Sequence, residues 1–278
     1  MRPRQWVKNV LVLAAPFAGG TLFQLPVLGS VGIAFVTFSL AASGVYLVND
    51  VQDVEADRAH PTKRNRPIAA GVVPPRLALA VAAALLVAAI GVSLLASTDL
   101  VVVTSIYIAV QLAYCWWLKH QPVLDICIVA SGFLLRAIAG GAAAGIALSQ
   151  WFLLTTAFGS LFMVAGKRYA EIRLAERTGA KIRKSLDGYT ASYLRFVWTL
   201  AATGVIMTYG LWAFQLSQTN HSRWPVISLV PFVVAVLRYA VDVDSGKGGE
   251  PEEIALGDRV LQVLGACLVL TLIAAVYF

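Results

Sequence analysis

The stretch Asn49-Asp50-Val51-Gln52-Asp53-Val54-Glu55-Ala56-Asp57 closes a long apolar run and sets an amide and three carboxylates at helical spacing. At about 100° per residue, Asn49, Asp50, Asp53 and Asp57 fall within roughly 100° of arc on one continuing helix, while Glu55 points elsewhere. Carboxylates so gathered repel one another unless a cation lies among them. Hard oxygen ligands of this kind suit magnesium, which keeps waters and bridges to substrate phosphates. Asn49, Asp50, Asp53 and Asp57 are the expected metal ligands, and Asp50, Asp53 and Asp57 the expected catalytic residues. A solvated helix end is the plainer reading, but the basic sequel Arg58-Ala59-His60-Pro61-Thr62-Lys63-Arg64-Asn65-Arg66-Pro67 argues against it. Lys63 and Arg66 suit phosphate oxygens that a metal does not reach, with anchoring at a membrane surface as their alternative role.

A second constellation, Lys167-Arg168-Tyr169-Ala170-Glu171, repeats that spacing with cations at the first two positions. Arg173, Arg177, Lys181, Arg183 and Lys184 follow, then Asp187-Gly188-Tyr189. This half reads as one built to hold anions directly, with Lys167, Arg168, Glu171 and Tyr189 as substrate-binding candidates. Asp125 and Arg136 lie within another apolar run, about three turns apart on one face and about 16 Å along the axis. A charge at membrane depth is costly and is by default functional or paired, which makes both candidates for lining a substrate cavity. His60, His120 and His221 are scattered, and Cys115, Cys127 and Cys267 lack metal-ligand spacing and read as small core residues.

These residues need elements to carry them. Of 278 residues, 59% are hydrophobic and only 13% charged, and the mean hydropathy is +0.75. Soluble domains average about a quarter charged residues, so an ordinary water-facing surface is excluded. At roughly 20 residues per crossing the length allows about nine helices. Apolar runs suggest spans near Val10–Leu28, Ser30–Val48, Arg76–Ala96, Leu100–Leu118, Val123–Gly145, Gln150–Gly166, Ala191–Leu216, Pro225–Val241 and Val260–Phe278. Long continuous runs of Ala, Leu and Val do not fit the alternating strands of a membrane barrel. The expected fold is all-α, an integral membrane protein of about nine transmembrane helices, with residues 1–278 forming one domain.

The net charge of +7 tests this parse. With the N-terminus inside, every Lys and Arg except Arg136 and Arg223 falls on the inner side. Such asymmetry indicates a multi-pass protein of the plasma (inner) membrane with its N-terminus and active site in the cytoplasm, and it speaks against nucleic-acid binding. The loops after the second and sixth spans become the expected active-site loops.

The pattern Asn49-Asp50-x-x-Asp53-x-x-x-Asp57 followed by Arg66-Pro67-Ile68-Ala69-Ala70-Gly71 resembles the UbiA superfamily of intramembrane transferases. Supporting residues are Arg2-Pro3-x-Gln5-Trp6-x-Lys8-Asn9, Asp125, Arg136, Trp151 and Lys167-Arg168-x-x-Glu171, so the resemblance runs along essentially the whole chain. Typical prenyltransferases of the superfamily carry a second aspartate motif, DxxxD, after the sixth span. Glu171, Glu176 and Asp187 lack that spacing. Within the superfamily the chain most resembles the branch that transfers a 5-phosphoribosyl group from phosphoribosyl diphosphate to decaprenyl or another polyprenyl phosphate, feeding arabinan synthesis for the cell wall, and the departure fits that donor.

The resemblance thus implies a magnesium-dependent pentosyltransferase, with Lys8, Asn9 and Arg136 as candidates to receive the lipid phosphate. Membrane lipid surrounds such an enzyme, and a homo-oligomer is compatible with it. The alternative within the superfamily is a prenyltransferase using a prenyl diphosphate and an aromatic or quinone-precursor acceptor, which the missing second motif disfavours. A transporter would place ionisable groups nearer the midplane than a helix exit.

Overall fold

The computed structural model describes residues 3–60, 62–179, 186–245 and 251–278. Lys181, Arg183, Lys184 and Lys247 lie outside them. The described residues are all-helical. A 3-10 segment, Pro3–Leu13, leads into α1 (Ala14–Ala18), α2 (Leu25–Gln52), α3 (Val54–Arg58), α4 (Pro75–Ser93), α5 (Thr98–Trp116) and α6 (Leu124–Ala144). There follow α7 (Gln150–Thr178), α8 (Ala191–Asn220), α9 (Trp224–Ile227), α10 (Leu229–Asp244), α11 (Pro251–Gly257) and α12 (Arg259–Tyr277).

Seven helical stretches among the described residues are long and apolar enough to cross a membrane: α2, α4, α5, α6, α8, the stretch Trp224–Asp244, and α12. Two of the expected spans differ from this set. In α7 the apolar run is diluted by Gln150, Thr155, Thr156, Gly159 and Ser160, although its 29 residues reach over about 43 Å. The expected first span, Val10–Leu28, is broken: the 3-10 segment and α1 end at Ala18, Gly20 takes a left-handed φ of 68°, and α2 starts at Leu25 with Pro26 in its first turn. The boundary expected at Ser30 therefore moves back, because Pro26 is preset for an N-terminal helical turn. At about 2.0 Å per 3-10 residue and 1.5 Å per α residue, Pro3–Ala18 still extends about 30 Å, the thickness of a hydrocarbon core.

Helix ends are set by local chemistry. The Ser97, Ser149 and Thr190 hydroxyls accept N–H groups at the starts of α5, α7 and α8, and Gly179 closes α7 at a φ of 67°. Asp258 caps α12 through the N–H groups of Val260 and Leu261.

The chain divides into two compact units, Met1–Gln121 with Leu135–Ala147 and Pro122–Leu134 with Leu148–Phe278. In the first, Val12, Val31, Phe38, Leu100 and Tyr107 pack with Ala34, Ala41 and Ala139. Close approach of α2 to α4 depends on Gly44, where a Cβ would come within 2.9 Å of the Leu86 side chain. In the second, Trp198 stacks between Phe162 and Tyr169, at ring-centroid distances of 5.7 and 5.4 Å. Of the cysteines only Cys115 is buried. Cys127 and Cys267 are exposed rather than core, since an apolar residue on a membrane helix can face lipid as readily as protein.

Candidate active site

The acidic motif is built on two helices, not one. α2 ends at Gln52, Asp53 adopts a turn conformation, and α3 resumes at Val54. The hydrogen-bond ladder nevertheless carries across the joint, Asp53 N–H to the Asn49 carbonyl at 2.9 Å and Asp57 N–H to the Asp53 carbonyl at 2.8 Å. The four side chains therefore stay neighbours despite the kink. At 28 residues, α2 runs to about 42 Å, well beyond a hydrocarbon core, which carries its acidic end clear of the apolar layer.

Cations from downstream meet the carboxylates. One guanidinium nitrogen of Arg66 donates to Asp50 Oδ1 at 3.2 Å and to Asp57 Oδ2 at 2.6 Å, so a single positive group bridges both. Asp57 is buried, whereas Arg66 is half-buried. Asp53 accepts from the Asn49 amide at 3.0 Å and from Lys119 Nζ at 2.5 Å. Glu55 points away as expected and pairs with Arg58 at an exposed position. Lys63 sits half-buried on the loop that supplies Arg66.

The acidic pattern implies magnesium. Among the described residues no group of three or more Asp, Glu, His or Cys is gathered around one point. Magnesium does not need one, because it is commonly held by one or two carboxylates and completes its shell with water and substrate phosphate. Asp50 and Asp57, already bridged by one cationic nitrogen, fit that demand. Asp53 and Asn49 stand one helical turn apart beside them.

Sequence reasoning did not single out Lys119. Its signal was present, since Lys119 directly follows the fourth expected span, Leu100–Leu118, and by parity emerges on the same side as the acidic motif. Tyr107 was also missed. Arg136, buried in α6, donates through Nε to Asn9 Oδ1 at 2.7 Å and through Nη2 to the Tyr107 hydroxyl at 3.1 Å, with its guanidinium 5.1 Å from the Tyr107 ring centre. Asn9 is completely buried and donates to Ser39 at 2.9 Å. Two of the three residues grouped as lipid-phosphate candidates are thus brought together, and Lys8 is the chain neighbour of Asn9.

Asp125 and Arg136 share helix α6 but not partners. Asp125 lies in the second compact unit, fully enclosed, where the Tyr189 hydroxyl donates to its Oδ1. Its Oδ2 is 3.6 Å from Arg168 Nη2, and Arg168 Nη1 is 3.7 Å from Glu171 Oε2. Burial and the bond to the Asp125 carboxylate push the Tyr189 phenol above its usual value, so it remains a proton donor throughout the neutral range. Lys167 is half-buried beside Arg168.

The UbiA prenyltransferase family matches residues 10–276. The chain belongs to that family. As a UbiA protein it is 61% identical to decaprenyl-phosphate phosphoribosyltransferase of Mycolicibacterium smegmatis, an alignment covering 100% of this chain and 91% of that one. It is 62% identical to the Mycobacterium tuberculosis protein of the same name, covering 100% and 93%. The UbiA fold appears in a UbiA homologue from Archaeoglobus fulgidus bound to DMAPP and Mg2+, with a TM-score of 0.74, 15% identity, and coverage of 99% and 96%.

Proposed function

We propose that this UbiA protein transfers the 5-phosphoribosyl group of phosphoribosyl diphosphate to the phosphate of decaprenyl or another polyprenyl phosphate, releasing diphosphate, and that the lipid product feeds arabinan-precursor synthesis. The observation that carries this reading is the unequal pair of helix exits. One presents Asp50, Asp53 and Asp57. The other presents Lys167 and Arg168, where a second set of aspartates would serve a prenyl diphosphate. Full-length identity of 61–62% to the two mycobacterial relatives supports it.

Asp50 and Asp57 would hold magnesium, with Asp53 and Asn49 beside them, and when bound the ion would stabilise the negative charge gathering on the departing diphosphate. Arg66, Lys63 and Lys119 neutralise oxygens around the acidic motif. Lys167 and Arg168, with Glu171 beside them, bind the phosphates of the donor. Asn9 and Arg136, with Lys8, receive the acceptor phosphate. That phosphate is already anionic at neutral pH, so no side chain needs to remove a proton from it, which accounts for the absence of a histidine from these clusters.

The direct test uses purified protein, magnesium, labelled phosphoribosyl diphosphate and a panel of polyprenyl phosphates. Label should pass into the lipid fraction with release of diphosphate. Transfer from a labelled prenyl diphosphate to an aromatic acceptor, with none from phosphoribosyl diphosphate, would overturn the reading.

Orientation belongs to the same proposal: the N-terminus and the acidic exit face the cytoplasm of a plasma-membrane protein. A cysteine at Ala59 should be shielded from an impermeant thiol reagent in intact cells, while one at Ser149 should label. Equal labelling at both positions would reverse or abolish this topology.

A further inference from the structure

Val123, two residues before Asp125, has a φ of 71°. A β-branched residue in the left-handed region is a genuine outlier, because its Cβ crowds the backbone. Such a conformation persists only where its surroundings over-determine it. Here they do: the Val123 N–H donates to the Tyr189 hydroxyl at 2.5 Å. Alongside, a Cβ on Gly188 would come within 2.6 Å of Pro122 Cγ, so the turn before α8 lies directly against the entry to α6. Tyr189 also stacks on Tyr193 with ring centres 5.9 Å apart, which fixes the phenol.

The phenol therefore does two things at once, accepting from strained backbone and donating to Asp125. Asp125 is wholly buried and its other oxygen faces Arg168, itself only 5% exposed. At 3.6 Å this pair lies beyond good hydrogen-bonding distance, and among the described residues neither Asp125 Oδ2 nor Arg168 Nε has a hydrogen-bond partner. A buried guanidinium donor left unsatisfied is costly and calls for an explanation. The arrangement holds Arg168 by charge, through Asp125 and Glu171, and leaves its Nε donor available. Asp125 itself is badly suited to touch an anionic substrate, being negative, enclosed and already engaged.

We infer that Asp125 and Tyr189 are positioning residues that set the Arg168 guanidinium for a phosphate of the donor, and are not substrate ligands themselves. This rests on the phosphoribosyl-donor reading given above. The chain of action runs from the turn at Tyr189 to the strained entry of α6, to Asp125, and then to Arg168.

The test is a set of double-mutant cycles on the full chain, reading kcat and the KM of phosphoribosyl diphosphate and of polyprenyl phosphate separately. Asp125→Asn keeps the shape and an oxygen for Tyr189 to bond, Tyr189→Phe keeps the stacked ring, and Arg168→Lys keeps a cation opposite Asp125. Each is thus chosen to fold, and thermal unfolding checks that it has. Tyr189→Phe and Asp125→Asn should each raise donor KM about tenfold, the scale of one hydrogen bond to a charged group. Acceptor KM should stay at the wild-type value. In the Arg168→Lys background the same changes should add less than about twofold, since residues acting through one group are not additive.

Equal rises in both KM values, or full additivity with Arg168→Lys, would show a merely structural role and overturn the inference. A raised donor KM in Arg168→Lys with none in Tyr189→Phe or Asp125→Asn would overturn the positioning role while leaving Arg168 as a donor ligand. An unchanged donor KM in Arg168→Lys would remove that reading of Arg168, and the positioning role with it. Unfolding of both Tyr189→Phe and Asp125→Asn in thermal scans would assign the network to stability and likewise overturn it.

Discussion

Asp57→Asn and Asp53→Asn should each lower turnover by at least a hundredfold, the scale on which removing one preorganised electrostatic contact acts, and chelation by EDTA should abolish activity in the wild type. Asp57 is buried and shares the Arg66 guanidinium with Asp50, so its replacement removes one of two carboxylates able to bracket a cation. The amide retains an oxygen that Arg66 can still reach, and the protein should therefore remain folded. Asp53 meets Lys119 and Asn49 instead, and its amide variant should likewise fold. Turnover is measured in purified protein with magnesium supplied over a wide range. Undiminished activity in EDTA, or in both variants, would sink the metal role, and activity restored by high magnesium would locate the defect in metal affinity.

Much of the fold was legible because composition and run length decide it. Long runs of Ala, Leu and Val with charges confined to their ends leave few alternatives to membrane helices, and α6, expected at Val123–Gly145, forms at Leu124–Ala144. The first segment was not legible. A uniformly apolar stretch has no periodicity to separate 3-10 from α geometry, so Val10–Leu28 read as one helix. Its break depends on the Gly19–Gln24 turn region and on Pro26 starting the next helix. The kink at Asp53 escaped for a different reason, since the i to i−4 spacing of Asn49, Asp53 and Asp57 is the same with or without a turn at the joint.

Candidate side chains were legible by type, but their partners were not. A buried charge in an apolar run announces that it needs company, and both Asp125 and Arg136 have it. Which company depends on contacts far apart in the chain. Arg136 lies 127 residues from Asn9, and Lys119 lies 66 from Asp53. Grouping Asn9 with Arg136 came from resemblance, and the two share a buried hydrogen bond that no local pattern announces. Lys119 had only its place at the end of a span to recommend it, a position that many anchoring cations share.

Gly140→Ala should destabilise the protein by about 3 kcal/mol, the upper part of the range for overpacking, and should raise acceptor KM more than donor KM. Gly140 lies in α6, and a Cβ there would fall on the carbonyl of Val12, with the carbonyl carbon 2.7 Å and the Val12 Cα 3.2 Å away. The obstruction is backbone, which cannot swing aside as a side-chain tip could. Val12 is on the 3-10 segment, where residues three apart eclipse, so Asn9 stands on the same face and moves with it. Pushing that segment outward lengthens the 2.7 Å bond from Arg136 to Asn9 and disturbs the proposed seat of the lipid phosphate, but leaves Asp50, Arg66 and Arg168 in place. Gly91→Ala in α4 is the control, because nothing lies within 4 Å of its Cβ position and helix propensity alone favours alanine by about 1 kcal/mol. Thermal unfolding in detergent and separate titration of the two substrates would decide the matter. A Gly140→Ala protein with wild-type stability and an unchanged acceptor KM would mean that the 3-10 segment shifts freely and does not hold Asn9 against Arg136.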